Sequence, residues 1–89
     1  MDFEWDRNKS QANDGKHGVS FEEATEVFAA DYSYVVADPD HSTEEDRFIL
    51  FGKTFGDRFL VGAFTERDDR IRIISARPMT RPERKAYEQ

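Results

Sequence analysis

The chain contains no cysteine, three prolines, two histidines and no long apolar run among its 89 residues. Each scarcity excludes something. Without cysteine there is no disulfide, no thiolate zinc site and no thiol nucleophile, which fits a reducing compartment. The longest apolar stretches, residues 48–51 and 59–64, are strand-sized and far too short to cross a bilayer, so no membrane partner is expected. The two histidines, His17 and His41, carry no metal-ligand spacing, so neither a metal nor another cofactor is expected. The chain opens with Asp2, Glu4 and Asp6 instead of the basic segment of a signal peptide, so a cytoplasmic location is expected. One core, and so one domain spanning residues 1–89, is what a chain of this length can build.

Basic residues are scarce in only one half. Residues 1–46 carry three (Arg7, Lys9, Lys16) against thirteen acidic ones, whereas residues 47–89 carry ten against six. Seven of those ten lie between Arg67 and Lys85. The net charge of −6 hides this division. Arginines at that density among strand-forming isoleucines suggest a polyanionic ligand, RNA or DNA. The acidic half suits solubility or a second, basic partner. Eight phenylalanines, three tyrosines and one tryptophan sit in patterned runs and supply the material of a folded core.

Local signals order the elements. Phe3 and Trp5 alternate with acids and predict a short edge strand over residues 2–5. Asp6 caps a helix over 7–16 that Gly18 ends. Ser20 with Glu23 three residues on has capping-box spacing, and Phe21, Ala24, Val27 and Phe28 share one face of the helix that follows, with Glu22, Glu23 and Glu26 toward solvent. Residues 32–37 read as a strand and 38–46 as an acidic loop. Strands over 47–55, 58–67 and 70–78 then form a meander with two-residue turns at Gly56-Asp57 and Asp68-Asp69. Thr80 and Glu83 open a last helix over 81–88. The expected class is α+β, a small, mostly antiparallel sheet with two N-terminal helices and one C-terminal helix. Tight turns would place Arg47 opposite Glu66, and Arg77 on the face of Ile71 and Ile73.

The stretch FEWDRNKSQANDGKHGVSFEEATEVF, followed by DRFILFGKTFGDRFLVGAFTERDDRIRIISARPMTRPER, resembles the BrnT toxins of bacterial type II toxin–antitoxin systems. The most specific pieces are Lys16-His17-Gly18-Val19 after Asn13, Thr65-Glu66-Arg67, and the run Ile71 to Arg77. The resemblance covers nearly the whole chain. It implies a RelE-like ribonuclease fold and metal-independent RNA cleavage that inhibits translation. It also implies a BrnA-type antitoxin as partner, with operator DNA met only indirectly through that antitoxin.

Metal-independent cleavage uses the ribose 2′-hydroxyl as nucleophile, so a site must take its proton, neutralise the phosphorane and protonate the leaving 5′-oxygen. Lys16, His17, Arg67 and Arg77 are the candidates for catalysis. His17 and Lys16 stand at a helix C-terminus, where a cation is favoured, and either serve the chemistry or simply answer the helix dipole. Arg67 and Arg77 offer bidentate forks for phosphate, or are a solvated charge and a structural ion pair respectively. A partly buried Arg77 requires some anion to meet it. Arg70, Arg72, Arg81 and Arg84, with Lys85, form an RNA-binding footprint. Glu66 is a possible base but better suited to pairing with Arg47, and His41 reads as surface. A partner that silences the chain should present carboxylates toward Arg67, Arg72 and Arg77. Two other classes stay open: a non-catalytic nucleic-acid-binding module, and a protein–protein adaptor that docks through the acidic half.

Overall fold

The computed structural model describes residues 1–38 and 46–89. The reading of His41, and of the loop between 38 and 46, falls outside the described residues. The elements follow the order β1 (Asp2–Glu4), α1 (Arg7–His17), α2 (Phe21–Phe28), β2 (Tyr34–Ala37), β3 (Arg47–Lys53), β4 (Phe59–Arg67), β5 (Arg70–Pro78) and α3 (Arg81–Tyr87). The sheet has the order β1-β5-β4-β3-β2, with β1 parallel to β5 and the other pairs antiparallel. The class is α+β, as the sequence indicated.

The helix ends are set by the side chains that the sequence pointed to. The Asp6 carboxylate accepts from the Asn8 and Lys9 amides, and Gly18 closes α1 in the left-handed region at φ 68°. Any side chain at Gly18 would pay the left-handed penalty. Ser20 accepts from the Glu23 amide, but Glu23 turns to Arg58 at 2.6 Å and leaves the capping box half made. The full box forms at Thr80 and Glu83. Glu26 also turns inward and accepts from the Phe55 amide at 2.9 Å, so of the three acids expected in solvent only Glu22 is exposed.

Helices α1 and α2 cover one face of the sheet. Val19, Phe21, Ala24 and Val27 meet Leu50, Leu60, Phe64, Ile73 and Ala76 in the core, with Phe3, Trp5, Phe28, Phe48 and Ile71 packed around them. Each buried valine, leucine, isoleucine or phenylalanine there contributes about 1.5–3 kcal/mol. Edge-to-face ring contacts of Phe3 with Phe28 and Trp5 with Phe21 fix β1 and the turn after it. Gly52 is required beneath α2, because a Cβ there would be driven into Val27 Cγ1.

Two expectations about register fail. The β3–β4 connection is a five-residue turn, not two residues: the Thr54 amide donates to the Arg58 carbonyl, the Thr54 hydroxyl accepts from the Arg58 amide, and Asp57 takes φ 65°. This slips the pairing by one, so Arg47 stands opposite Thr65 and not Glu66. In β5 a bulge beside Ala63 and Phe64 leaves Ile74 without an opposite residue and reverses the alternation beyond it. Arg77 therefore pairs with Val61 on the second face, away from Ile71 and Ile73. That second face carries Phe51, Phe59, Val61 and Thr65, and α3 covers part of it through Tyr87, which stacks on Tyr34 and meets Phe59 edge-on.

Candidate nucleic-acid interface

Asn13, in the middle of α1, sets the geometry. Its carboxamide donates to the carbonyls of Ala76 at 2.7 Å and Val19 at 2.9 Å, and accepts from the Ala76 amide at 3.2 Å. Because β1 spans only three residues, β5 beyond Arg72 would otherwise be an open edge. A buried asparagine takes the place of a neighbouring strand there. The same bonds hold the last turn of α1 beside the far half of β5, so Lys16 and His17 stand at that end of the sheet.

Around the edge of β5 from α1, Arg77 projects onto the second face and meets Glu83. Two guanidinium nitrogens reach the two carboxylate oxygens at 2.7 and 2.9 Å. The carboxylate holds Arg77 more firmly charged than a free arginine. Arg77 in turn, with help from the Thr80 backbone, pulls Glu83 down to about 2. The anion that a partly buried Arg77 requires is thus supplied by the chain itself, through a residue that the sequence marks only as a helix cap. A carboxylate of such low basicity is a poor general base near neutral pH.

The remaining candidates do not converge on this point. Arg67 faces Arg70 across the Asp68-Asp69 turn, while Arg77 faces Val61. Six strand residues separate Val61 from Arg67, or about 20 Å, too far for one phosphate to touch both arginines. Arg72 pairs with Glu4 of the neighbouring β1 at 2.8 Å. Arg84 lies over the Phe59 ring, 3.9 Å from its centroid, and bonds Glu88 at 3.1 Å. Among the described residues the side chains of Lys16, His17, Arg70 and Arg81 make no hydrogen bond or ion pair. The candidates are therefore divided into arginines held by carboxylates of the fold and side chains without a protein partner. The arginines held by Glu4 and Glu83 were not separable from the others by sequence, since their partners lie 68 and 6 residues away.

The model of a family described as the ribonuclease toxin BrnT of type II toxin–antitoxin systems matches residues 5–83. The chain belongs to this family. Its fold is similar to the crystal structure of the Brucella abortus ribonuclease toxin BrnT, with a TM-score of 0.69 and 26% identity over 91% of this chain and 99% of that one. No curated protein matches it by sequence. As a BrnT-family ribonuclease toxin of a type II system, the chain is expected to pair with an antitoxin and to bind RNA. Among the described residues no helix is long and apolar enough to cross a membrane.

Proposed function

We propose that the chain is a cytoplasmic endoribonuclease that cuts single-stranded RNA without a metal, thereby inhibiting translation, and that a BrnA-type antitoxin neutralises it. Operator DNA is reached only through that antitoxin. The observation that carries the reading is the preorganised Arg77, held on the part of β5 that β1 leaves unpaired, beside the end of α1, within a chain of this family. His17 takes the proton of the 2′-hydroxyl as that oxygen bonds to phosphorus and returns it to the 5′-oxygen as the P–O5′ bond breaks, and Lys16 adds a compact positive charge. Arg77 stabilises the charge that grows on the phosphorane, sharing its fork between Glu83 and the phosphate. Arg67 and Arg70, some 20 Å along the sheet, hold the RNA at a second point, while Arg81 and Arg84 of α3 add charge at the Arg77 end. Arg72, tied to Glu4, contributes its field more than its hydrogen bonds.

Incubation of the purified chain with single-stranded RNA in excess EDTA tests the proposal. Fragments ending in a 2′,3′-cyclic or 3′-phosphate are expected, and their loss in Arg77→Ala, with an unchanged circular dichroism spectrum, assigns the residue. Activity that disappears with chelator and returns with magnesium overturns the mechanism. RNA that is retarded on a gel but left intact makes the chain a binding module instead.

A further inference from the structure

Among the described residues, the other edge of the sheet is open. β2 ends the strand order, and all four of its residues are exposed. The Asp38 amide donates to the carbonyl of Arg47, its direct partner in the β2–β3 register. Alternation then turns Tyr34 and Val36 toward β3, and leaves the N–H and C=O groups of Val35 and Ala37 pointing outward. Natural edges are usually blunted by lysine, proline or a bulge, and Tyr-Val-Val-Ala has none of these. The exposed large apolar residues gather at the same place. Of Met1, Tyr32, Tyr34, Val35, Val36 and Phe55, three lie in β2, with Tyr32 two residues before it. Tyr32 and Phe55 line one cleft of about 510 Å³ together with Asp31 and Tyr87.

We propose that β2 is a docking edge for an extended, basic segment of a second protein, which adds to the sheet as a sixth strand. The outward groups of Val35 and Ala37 give the ladder, and Val35 on one face with Tyr34 and Val36 on the other take alternate side chains. Charge selects the occupant. β2 lies within the half of the chain that holds thirteen acidic and three basic residues, and Asp31 and Asp38 stand before and after it. RNA is disfavoured by those carboxylates, although Tyr32 and Tyr34 carry rings at this edge. A second copy of the chain brings the same acids. A basic strand is attracted by both terms. The occupant expected of a type II toxin is its antitoxin, and the docking holds whichever residues cut RNA.

The test uses the chain co-expressed and purified with the product of the neighbouring reading frame. Hydrogen exchange should slow at least tenfold at Val35 and Ala37 on forming the complex. Val35→Pro removes one outward N–H while leaving every β2–β3 bond in place, and should weaken the complex at least tenfold with RNA cleavage unchanged. Val35→Lys, which keeps the backbone donor, should also weaken it, and Asp31→Lys by a few-fold with a shallower salt dependence. Loss of the partner in these variants supports the docking edge whether or not the chain cuts RNA. The proposal is overturned if no complex forms, if Val35→Pro binds the partner as tightly as wild type, or if protection lies elsewhere. It also falls if the free chain dimerises through β2, or if Val35→Pro loses RNA retention.

Discussion

The two edges of this sheet are finished in opposite ways. Along β5, Asn13 places a carboxamide on both backbone groups of Ala76, and β1 pairs with the first three residues. Along β2 nothing within the described residues performs that task, and the valines remain exposed. A closed edge is rigid and keeps outside strands off, which suits a site whose groups must hold their geometry. An open, apolar edge is a hazard to a solitary protein and is tolerated when a partner is made to cover it. The contrast extends to charge. Arg72 and Arg77 beside the closed edge already have carboxylates, so a partner has less to gain there than the sequence suggested.

Removing the device that closes β5 should have the largest effect. Asn13→Ala strands the Ala76 amide and carbonyl and the Val19 carbonyl, all buried, for a loss of about 3 kcal/mol. For a chain of this size that lowers Tm by on the order of 15 °C, readable by thermal circular dichroism. RNA cleavage should fall with it, because the same bonds hold the end of α1 carrying Lys16 and His17. A loss under about 1 kcal/mol would mean that water replaces the carboxamide readily, and that the edge is not closed in the sense argued.

The elements were legible because their signals are local: Asp6, Gly18, Ser20 and Thr80 all act within one turn of where they stand. The faces of the sheet were not. In β3 the run Ile49-Leu50-Phe51 is apolar on both sides, so alternation carries no parity, and the hydroxyl of Thr54 converts a two-residue turn into a five-residue one. The bulge at Ile74 is likewise invisible in a run of isoleucines. The site was half legible. Arginine-rich β5 and the Lys16-His17 end of α1 were found by residue type. That Glu83 would occupy Arg77, and Asn13 close the edge, depends on tertiary placement that no spacing rule encodes.

The ion pair beside the closed edge gives a smaller and pH-dependent effect. Glu83 titrates at about 2 in the folded chain against an ordinary value of 4.5. A depressed carboxylate contributes stability that is fully present above its unfolded pKa, and that contribution is lost as pH falls from about 4.5 toward 2. Both side chains are partly exposed, so solvent screening limits the pair to about 0.5–1 kcal/mol. Glu83→Gln should therefore reduce stability at pH 7 by that amount and show a shallower loss than wild type between pH 4.5 and 2, measured by urea denaturation across pH. If the two profiles run parallel, the pair does not stabilise the fold and Arg77 is held in place by packing alone.

The smallest effect is expected at the tip of the β4–β5 hairpin, which lies three strand spacings from β2, about 14 Å, and belongs to neither finished edge. Asp68 and Asp69 both occupy the left-handed region, at φ 51° and 64°, the backbone of a turn that favours asparagine and glycine. Asp69→Gly removes the Cβ strain there and should stabilise the chain by about 0.5 kcal/mol, a rise of roughly 3 °C in Tm. It also deletes a negative charge between Arg67 and Arg70, so retention of single-stranded RNA should tighten modestly at low salt and the gain should fade as salt is raised. The affinity for a partner docked on β2 should not change, which separates the RNA-facing tip from the docking edge in a single variant. A fall in stability would show that the Asp69 carboxylate itself holds the turn, and tighter binding of the protein partner would place that partner on the tip instead of on β2.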